Sequence, residues 1–157
     1  MTEKQSRNRR NIVREPHVDG QEPLVEIEKR IVDRAHQFGD ATTRAGWPDI
    51  DPGEREIYRQ TFIALQSAQI PFLVGGGFAR FFYVRSWRYT KDLDIFVKPE
   101  DLEAAMNAME NAGFRTKISD PLWLAKAFKE EVMIDLIFGS SHGLIAVDDR
   151  TFEGSVI

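Results

Sequence analysis

Two aspartates separated by a single residue stand at the start of the run DLDIFV, residues 92–97. The alternation of polar and apolar residues predicts a strand, in which side chains two apart point to the same face. Asp92 and Asp94 should therefore lie side by side, with the apolar side chains directed to the core. Two adjacent carboxylates repel each other unless a cation or a shared proton compensates, and oxygen ligands suit Mg²⁺. An isolated pair of this kind more often marks a solvated strand face.

A third aspartate favours the metal interpretation over a solvated face. Asp135 lies in the run VMIDLIF, residues 132–138, where every neighbour is apolar. An unpaired charge in such surroundings is costly, so Asp135 needs a partner. A hydrogen-bonded structural acid is one alternative. Three carboxylates on strands of one sheet are explained more simply by a metal cluster, and we predict that Asp92, Asp94 and Asp135 bind divalent cations.

Three consecutive glycines, Gly75, Gly76 and Gly77, suggest a phosphate site nearby. They follow an apolar run at 71–74 and precede an expected helix, and a strand, glycine turn and helix start leave backbone N–H groups free to bind an anion. A plain tight turn is the alternative. The P-loop and Rossmann patterns are both excluded, since no Lys-Ser/Thr pair follows and the spacing G-x-G-x-x-G is absent.

The elements that position these residues begin with two helices. Apolar residues recur every three or four positions over 24–38, which predicts an amphipathic helix. Asp51 is expected to cap a second helix, with Pro52 at its first position and an end near Gln69. The inward face of the second helix is expected to carry Tyr58, Phe62 and Leu65.

Strands and helices are then mixed along the chain. Further helices are expected at 78–84 and from Pro99 to Gly113, with a helical turn around Trp123. Strands are expected at 71–74 (buried), 92–97, 114–118, 124–129 and 132–138, the last two joined by a tight turn at Glu130 and Glu131. After Gly139 a loop is expected. This order predicts an α+β (mixed α/β) fold, a small mixed sheet flanked by helices with two N-terminal helices in front.

Length and composition limit the domain organisation. With 157 residues and 42% hydrophobic content, one core is expected. Residues 1–22 are polar and basic and predict a disordered tail, residues 23–70 form N-terminal helices that pack on the core, and residues 71–157 form the core itself.

Charge and residue usage exclude several classes. A net charge of −4 argues against a surface built for polyphosphate backbones, and the lack of cysteine excludes disulfides and Cys-based zinc sites. No apolar run approaches the ~20 residues that span a membrane, and the N-terminus lacks the apolar segment of a secretory signal. A cytoplasmic protein without membrane contact is the expectation.

Together these motifs resemble the DNA polymerase beta-like nucleotidyltransferase superfamily. The order strand, glycine turn, helix, Asp-x-Asp strand and later lone Asp extends over about 71–139. The run GGFAR at 76–80 resembles the glycine motif of tRNA-end-adding enzymes. The run RYTKDLD at 88–94 resembles small bacterial nucleotidyltransferases that include toxins of toxin–antitoxin pairs.

The resemblance implies roles for these residues. Asp92 and Asp94 would bind two Mg²⁺ ions, with Mn²⁺ as a substitute, while Asp135 would bind one ion and help deprotonate the incoming hydroxyl. The nucleotide contacts that it implies are Gly75, Gly76, Gly77, Arg80, Arg88 and Lys91. For each of the three cations taken singly, a solvated surface position is an equal alternative.

The implied function is transfer of NMP from an NTP to an acceptor hydroxyl with release of pyrophosphate. The acceptor is left open among tRNA, a small molecule and a protein. A non-catalytic nucleotide-binding or toxin–antitoxin module is the alternative. Members of the superfamily usually continue past the third acidic strand, whereas this chain soon ends. The options are a minimal form, a truncated chain, or an assembly completed by a protein partner or a second copy.

Overall fold

The computed structural model describes residues 21–38, 42–44, 50–84, 86–143 and 145–153. Most of the predicted disordered tail, residues 1–22, lies outside the described residues. The helices are α1 (Leu24–Phe38), α2 (Pro52–Ser67), α3 (Gly76–Val84), α4 (Leu102–Asn111) and α5 (Asp149–Phe152), with a 3-10 turn at Pro99–Asp101 before α4. The strands are β1 (Thr42–Arg44), β2 (Leu73–Val74), β3 (Ser86–Arg88), β4 (Asp92–Phe96), β5 (Arg115–Asp120), β6 (Leu124–Lys129) and β7 (Val132–Ile137).

The main sheet has five strands in the order β2-β4-β7-β6-β5. β4 and β7 are parallel, and the other neighbouring pairs are antiparallel. β1 and β3 form a separate antiparallel pair. The predicted fold class, a small mixed sheet flanked by helices, is confirmed.

One face of the sheet supports the main core. Leu93 and Ile95 of β4 and Ile134 and Leu136 of β7 are all fully buried there, in a cluster to which α2, α3 and α4 also contribute. This is the period-two pattern expected of strands with one face on a core. The predicted inward direction of the apolar residues of β4 is confirmed.

The opposite face of the sheet is covered by α1. Leu24, Ile27 and Ile31 of this helix form a second buried cluster with Phe128 of β6 and Met133 of β7. Since side chains two apart share a face, the face below α1 also carries the acid at the centre of β7. The N-terminal helix therefore packs on the side of the sheet where the predicted chemistry lies.

The second helix begins as predicted. Asp51 accepts hydrogen bonds from the amides of Gly53 and Glu54, at 2.8 and 3.3 Å, and Pro52 occupies the first helical position. The inward face includes the buried Tyr58 and Leu65, whereas Phe62, expected beside them, is half-buried and packs at the margin of the core.

Several predicted boundaries were wrong. The strand expected at 71–74 has only two residues and is half-buried, because β2 lies at the edge of the sheet and pairs with β4 alone. α3 begins at Gly76 rather than at Phe78. Residues 121–123 form a single turn between β5 and β6, closed by the Trp123 amide that donates to the Asp120 carbonyl at 3.3 Å, and no helix follows it.

Three elements were not expected at all. The three-residue strands β1 and β3 were not among the expected strands, and α5 follows in the segment after Gly139. α5 is fixed by Asp148, whose carboxylate accepts hydrogen bonds from the amides of Arg150 and Thr151. Short elements of this kind carry too few residues to show a period in sequence.

The hairpin of β6 and β7 forms at the predicted position. Its turn has neither the Gly nor the Asn favoured in short hairpins, and Glu130 adopts a positive φ of 51°. The register pairs Lys129 with Val132 and hence Lys126 with Asp135. Among the described residues, every helix is too short or too polar to cross a membrane.

Candidate metal and nucleotide site

Three carboxylates meet on the face of the sheet below α1. Asp92 and Asp94 lie on β4, and the parallel register places Asp94 directly beside Asp135 of β7. Carboxylate oxygens from all three lie within 4.8 Å of one another. The structure thus brings together the three acids that the sequence singles out.

Asp92 is the acid at the outer end of the cluster. It is 6% exposed and accepts hydrogen bonds from the hydroxyl of Thr90, at 3.1 Å, and from the ammonium of Lys91. Partial burial opposes the charge of Lys91, but the hydrogen bond and charge of Asp92 outweigh it and raise the pKa of Lys91. Lys91 therefore stays cationic and neutralises part of the cluster.

Asp94 is the central acid of the cluster. Burial, followed by the charges of Asp92 and Asp135, raises the pKa of Asp94 to about 6. The ammonium groups of Lys91 and Lys126 act in the opposite direction without cancelling this effect. The site thus holds more negative charge than its lysines balance, which is the condition under which a divalent cation binds.

Asp135 is the acid with a buried partner. It is 7% exposed, and its Oδ1 accepts a hydrogen bond of 2.8 Å from the ammonium of Lys126, which is itself 7% exposed. Burial raises the pKa of Asp135, with the charge and hydrogen bond of Lys126 opposing the rise. The buried acid in an apolar strand does have the partner that its sequence position demanded.

Lys126 was missed by sequence reasoning. Its strand, LAKAFK, has Lys126 between apolar residues and ends at Lys129, and the turn at Glu130 fixes the register of the hairpin. Three residues farther from the turn on each strand, the same register pairs Lys126 with Asp135. The length of the turn therefore contained the information needed to predict this pair.

The glycine turn packs directly against the acids. Gly75 donates its amide to the carbonyl oxygen of Asp94 at 2.9 Å, and a Cβ at Gly75 would overlap the ring of Phe96. Gly76 has a φ of +55°, and a Cβ there would overlap the carboxylate of Asp94. A Cβ at Gly77 would lie 3.3 Å from that of Thr90.

The glycines therefore place the start of α3 against the acidic cluster. The first amides of a helix have no acceptor within the helix, and the helix dipole favours an anion there. α3 begins at Gly76, and its amide ladder starts with the bond from Ala79 to Gly75, at 3.0 Å. The amides that could bind a phosphate thus lie next to the carboxylates that could bind a cation.

The three predicted phosphate-contacting cations are placed differently. Lys91 lies at the acids, as described above. Arg80 is exposed on α3, one helical turn beyond Gly76. Arg88 ends β3, and its side chain lies outside what the structure describes. Of these three predicted cations, Lys91 is the one whose described side chain pairs with an acid of the cluster.

The donor set fits a hard divalent cation. Carboxylate oxygens, without nitrogen or sulfur ligands, suit Mg²⁺ or Mn²⁺. Three carboxylates beside the ammonium groups of Lys91 and Lys126 leave the cluster with uncompensated negative charge. These three residues can hold a metal ion.

Family comparison agrees with the fold and the acidic cluster. Residues 54–155 match the family described as "Nucleotidyl transferase of unknown function (DUF2204)". This match extends over more than half of the chain, so the protein belongs to this nucleotidyl transferase family. The resemblance to nucleotidyltransferases inferred from the glycine turn and the aspartates is confirmed.

Sequence and structure searches against known proteins gave different results. No curated protein matches the chain in sequence. The solution structure of the antibiotic-resistance factor ANT(2'')-Ia is similar with a TM-score of 0.49 at 19% identity, over 56% of this chain and 48% of that chain. The present chain thus spans about half the length of that relative.

Proposed function

We propose that the protein transfers an NMP group from an NTP to an acceptor hydroxyl and releases pyrophosphate. The observation that carries the proposal is the meeting of three carboxylates within 4.8 Å, with the central one packed against Gly76 at the start of α3. A cation site and an anion site in contact are what a cation-bound triphosphate requires. Membership of a nucleotidyl transferase family supports the same reaction.

Asp92, Asp94 and Asp135 would hold the cations, two Mg²⁺ ions or Mn²⁺ in their place. When bound, such ions neutralise the triphosphate and stabilise the attacking and leaving oxygens of an in-line displacement. The amides of Gly76 and Gly77 would face the outer phosphates. These groups position and neutralise the substrate, which is the larger part of catalysis in phosphoryl and nucleotidyl transfer.

Asp135 would also receive the proton of the acceptor. Its Oδ1 is engaged by Lys126, so Oδ2 would both bind the cation and accept the hydroxyl proton through its second lone pair. A raised pKa, caused by burial, makes this carboxylate a better base than an exposed aspartate. The acceptor oxygen would then bond to the α-phosphorus as the bond to the pyrophosphate oxygen breaks.

Asp94→Asn tests the proposal directly. The purified protein is incubated with Mg²⁺, each labelled NTP in turn and a cell extract as the source of acceptor. Pyrophosphate release and a labelled product are expected with the wild-type protein and should fall by at least about a thousandfold in the variant, near background, because the central ligand is lost. Asp149→Asn is the matched control, since Asp149 is exposed on α5 and paired with Lys98 away from the acids.

The same incubation separates an enzyme from a non-catalytic module. If Asp94→Asn releases as much pyrophosphate as the wild type, the proposal is wrong. Calorimetry with ATP or GTP and Mg²⁺ then decides between the remaining possibilities, because tight binding without any product detected by mass spectrometry indicates a binding module. Identification of the labelled product by mass spectrometry assigns the acceptor to tRNA, small molecule or protein.

A further inference from the structure

A row of charged side chains crosses four strands of the main sheet at one level. The register pairs Lys117 of β5 with Lys126 of β6. Lys126 pairs in turn with Asp135 of β7, and Asp135 pairs with Asp94 of β4. Directly paired side chains on neighbouring strands lie on one face and close together. The acidic cluster is therefore one end of a longer row whose other end consists of two lysines.

Lys126 is fixed within this row. Its side chain is 8% exposed, with the ammonium 2.8 Å from Oδ1 of Asp135 and 3.5 Å from a carboxylate oxygen of Glu28 on α1. Glu28 also pairs with Lys117 at 2.9 Å, which anchors it over the row. A buried ammonium that leaves such partners loses its ion pairs, and water cannot replace them because it does not reach the site. Lys126 therefore stays in place when a ligand enters the site.

Lys91, the other lysine at the acids, differs in this respect. It precedes β4, pairs with Asp92, and has a side chain that is 41% exposed. A partly exposed side chain of this length can turn to solvent or to a phosphate oxygen at little cost. The ion pair of Lys91 with Asp92 is thus displaceable, whereas that of Lys126 with Asp135 is permanent.

A permanent ammonium has two consequences for Asp135. Because Oδ1 accepts the hydrogen bond from Lys126, the carboxylate presents its other oxygen to an incoming cation. The positive charge of Lys126 also repels any cation that this oxygen binds, and the repulsion is strong because the ammonium is buried. We propose that Lys126 is a positioning residue that fixes Asp135 in the orientation presenting Oδ2 to a cation and that it weakens divalent-cation binding in the absence of nucleotide. The inference rests on the proposed function and deepens it.

Lys126→Met tests the inference, because methionine keeps most of the length of the side chain and removes its charge. In calorimetric titration with Mn²⁺ and no nucleotide, the variant should bind at least about tenfold more tightly than the wild type, since a nearby positive charge is gone. Pyrophosphate release at saturating NTP should fall about tenfold, with less than about a twofold change in the NTP concentration for half-maximal rate. Lys126→Arg, which retains the charge, should restore the wild-type Mn²⁺ affinity.

Lys117→Met is the matched control for the titration. Lys117 lies on the same face and in the same row, and its ion pair is with Glu28 rather than with an acid of the cluster. Its replacement should leave Mn²⁺ affinity within about twofold of the wild type, because the charge lies farther from the cations. Equal or weaker Mn²⁺ binding by Lys126→Met, relative to the wild type, overturns the inference.

A measurement on the wild-type protein covers the case in which Lys126→Met does not fold. Buried, hydrogen-bonded ammonium groups exchange their protons with water slowly enough for observation by NMR. On addition of Mg²⁺ alone, the Lys126 ammonium should keep this protection. Loss of protection at Lys126 shows that its ion pair is displaceable and overturns the inference.

Failure of this inference is distinguishable from failure of the proposed function. Mn²⁺ titration and lysine NMR need neither an acceptor nor turnover. If both give the expected results while no NTP yields pyrophosphate, the transferase proposal fails alone. If Mg²⁺-dependent pyrophosphate release occurs and Lys126→Met leaves Mn²⁺ affinity unchanged, the role of Lys126 fails alone.

Discussion

At the scale of single residues, the charge on Asp94 links the site to the stability of the protein. Burial, followed by the charges of Asp92 and Asp135, raises the pKa of Asp94 from an ordinary 3.8 to about 6. The folded protein therefore holds this proton more tightly than the unfolded chain does. Stability contributed by the protonated group is fully present below the unfolded pKa and is lost as the pH rises to about 6.

Asp94→Asn should accordingly stabilise the cation-free protein at pH 7.5. The expected gain in the free energy of unfolding is about 1 kcal/mol after allowance for solvent screening of a half-buried group, and it should disappear below about pH 4. Urea unfolding at several pH values measures both. Mg²⁺ should raise the Tm of the wild type and leave that of the variant unchanged. A variant that is less stable than the wild type at pH 7.5 would contradict the explanation that the charge of Asp94 destabilises the fold.

Gly76→Ala should disturb both the backbone and the acid beside it. The positive φ of Gly76 alone costs about 1 kcal/mol with a side chain, and the added Cβ overlaps the carboxylate of Asp94. We expect the free energy of unfolding to fall by about 1–3 kcal/mol in total and the Mg²⁺-dependent rise in Tm to be lost. Thermal unfolding with and without Mg²⁺ provides the measurement.

Gly113→Ala is the control for the backbone part of that effect. Gly113 also has a positive φ, of 85°, but a Cβ there meets only the end of the flexible Lys129 side chain at 3.4 Å. Its replacement should cost a similar backbone strain and keep the Mg²⁺ response. Equal Mg²⁺ responses in the two variants would show that Gly76 has no special relation to the acids.

Sequence reasoning could identify the three acids because each stands in a strand with a local pattern. Asp92 and Asp94 show the alternation themselves, and Asp135 is conspicuous by its apolar neighbours. Glu28 could not be recognised in the same way, because its role depends on a contact between α1 and the sheet that no local period contains, and Lys126 could be recognised only through the register of the β6–β7 hairpin. The pairing of β4 with β7 is likewise a contact between strands far apart in the chain.

At the scale of elements, α1 covers the sheet face that carries the acids. Ile31 of this helix is 2% exposed and belongs to the cluster with Phe128 and Met133. The helix is also tied to the β6–β7 turn by Arg30, whose guanidinium bonds Glu131. That ion pair is exposed, so we attribute the attachment mainly to apolar burial.

Ile31→Ala measures this attachment. The loss of a buried branched side chain should reduce the free energy of unfolding by about 2–4 kcal/mol. Val25→Ala on the same helix is the control, since Val25 is 59% exposed and should change stability by less than about 0.5 kcal/mol. Urea denaturation of both variants gives the comparison, and equal stabilities would mean that α1 is not part of the folded unit.

The long elements were predictable, and the short ones were not. α1 and α2 carry several turns of helical period, and Asp51 with Pro52 marks a start that is physically explicit. β2 and β3 have two and three residues, and their existence depends on partners in the tertiary structure. A segment of that length cannot express a period in sequence.

At the scale of the whole molecule, α2 shares the main core with the sheet. Ile57, Tyr58 and Leu65 lie in the same buried cluster as Leu93 and Leu136. The division at residue 70 proposed from sequence therefore separates segments that pack on each other. We expect them to unfold together, because neither segment can keep its apolar surface buried alone.

Urea unfolding followed by two probes tests this cooperativity. Tryptophan fluorescence reports on the three tryptophans of the chain, among them Trp87, which is 4% exposed in the core, and far-ultraviolet circular dichroism reports mainly on the helices. The two transitions should coincide with one midpoint. Separate midpoints would show that the N-terminal helices and the sheet are independent units.

The outermost strand of the sheet, β5, also bears on how the protein behaves in a crowded solution. Among the described residues β5 pairs with β6 alone, and Ile118 on this strand is 54% exposed. An unpaired strand edge offers free amides and carbonyls to another chain. The strand carries Arg115 and Lys117, breaks register between Ile118 and Asp120, and is followed at once by Pro121. Charge, irregular register and proline all discourage edge-to-edge pairing, so this margin of the sheet resists growth into intermolecular aggregates.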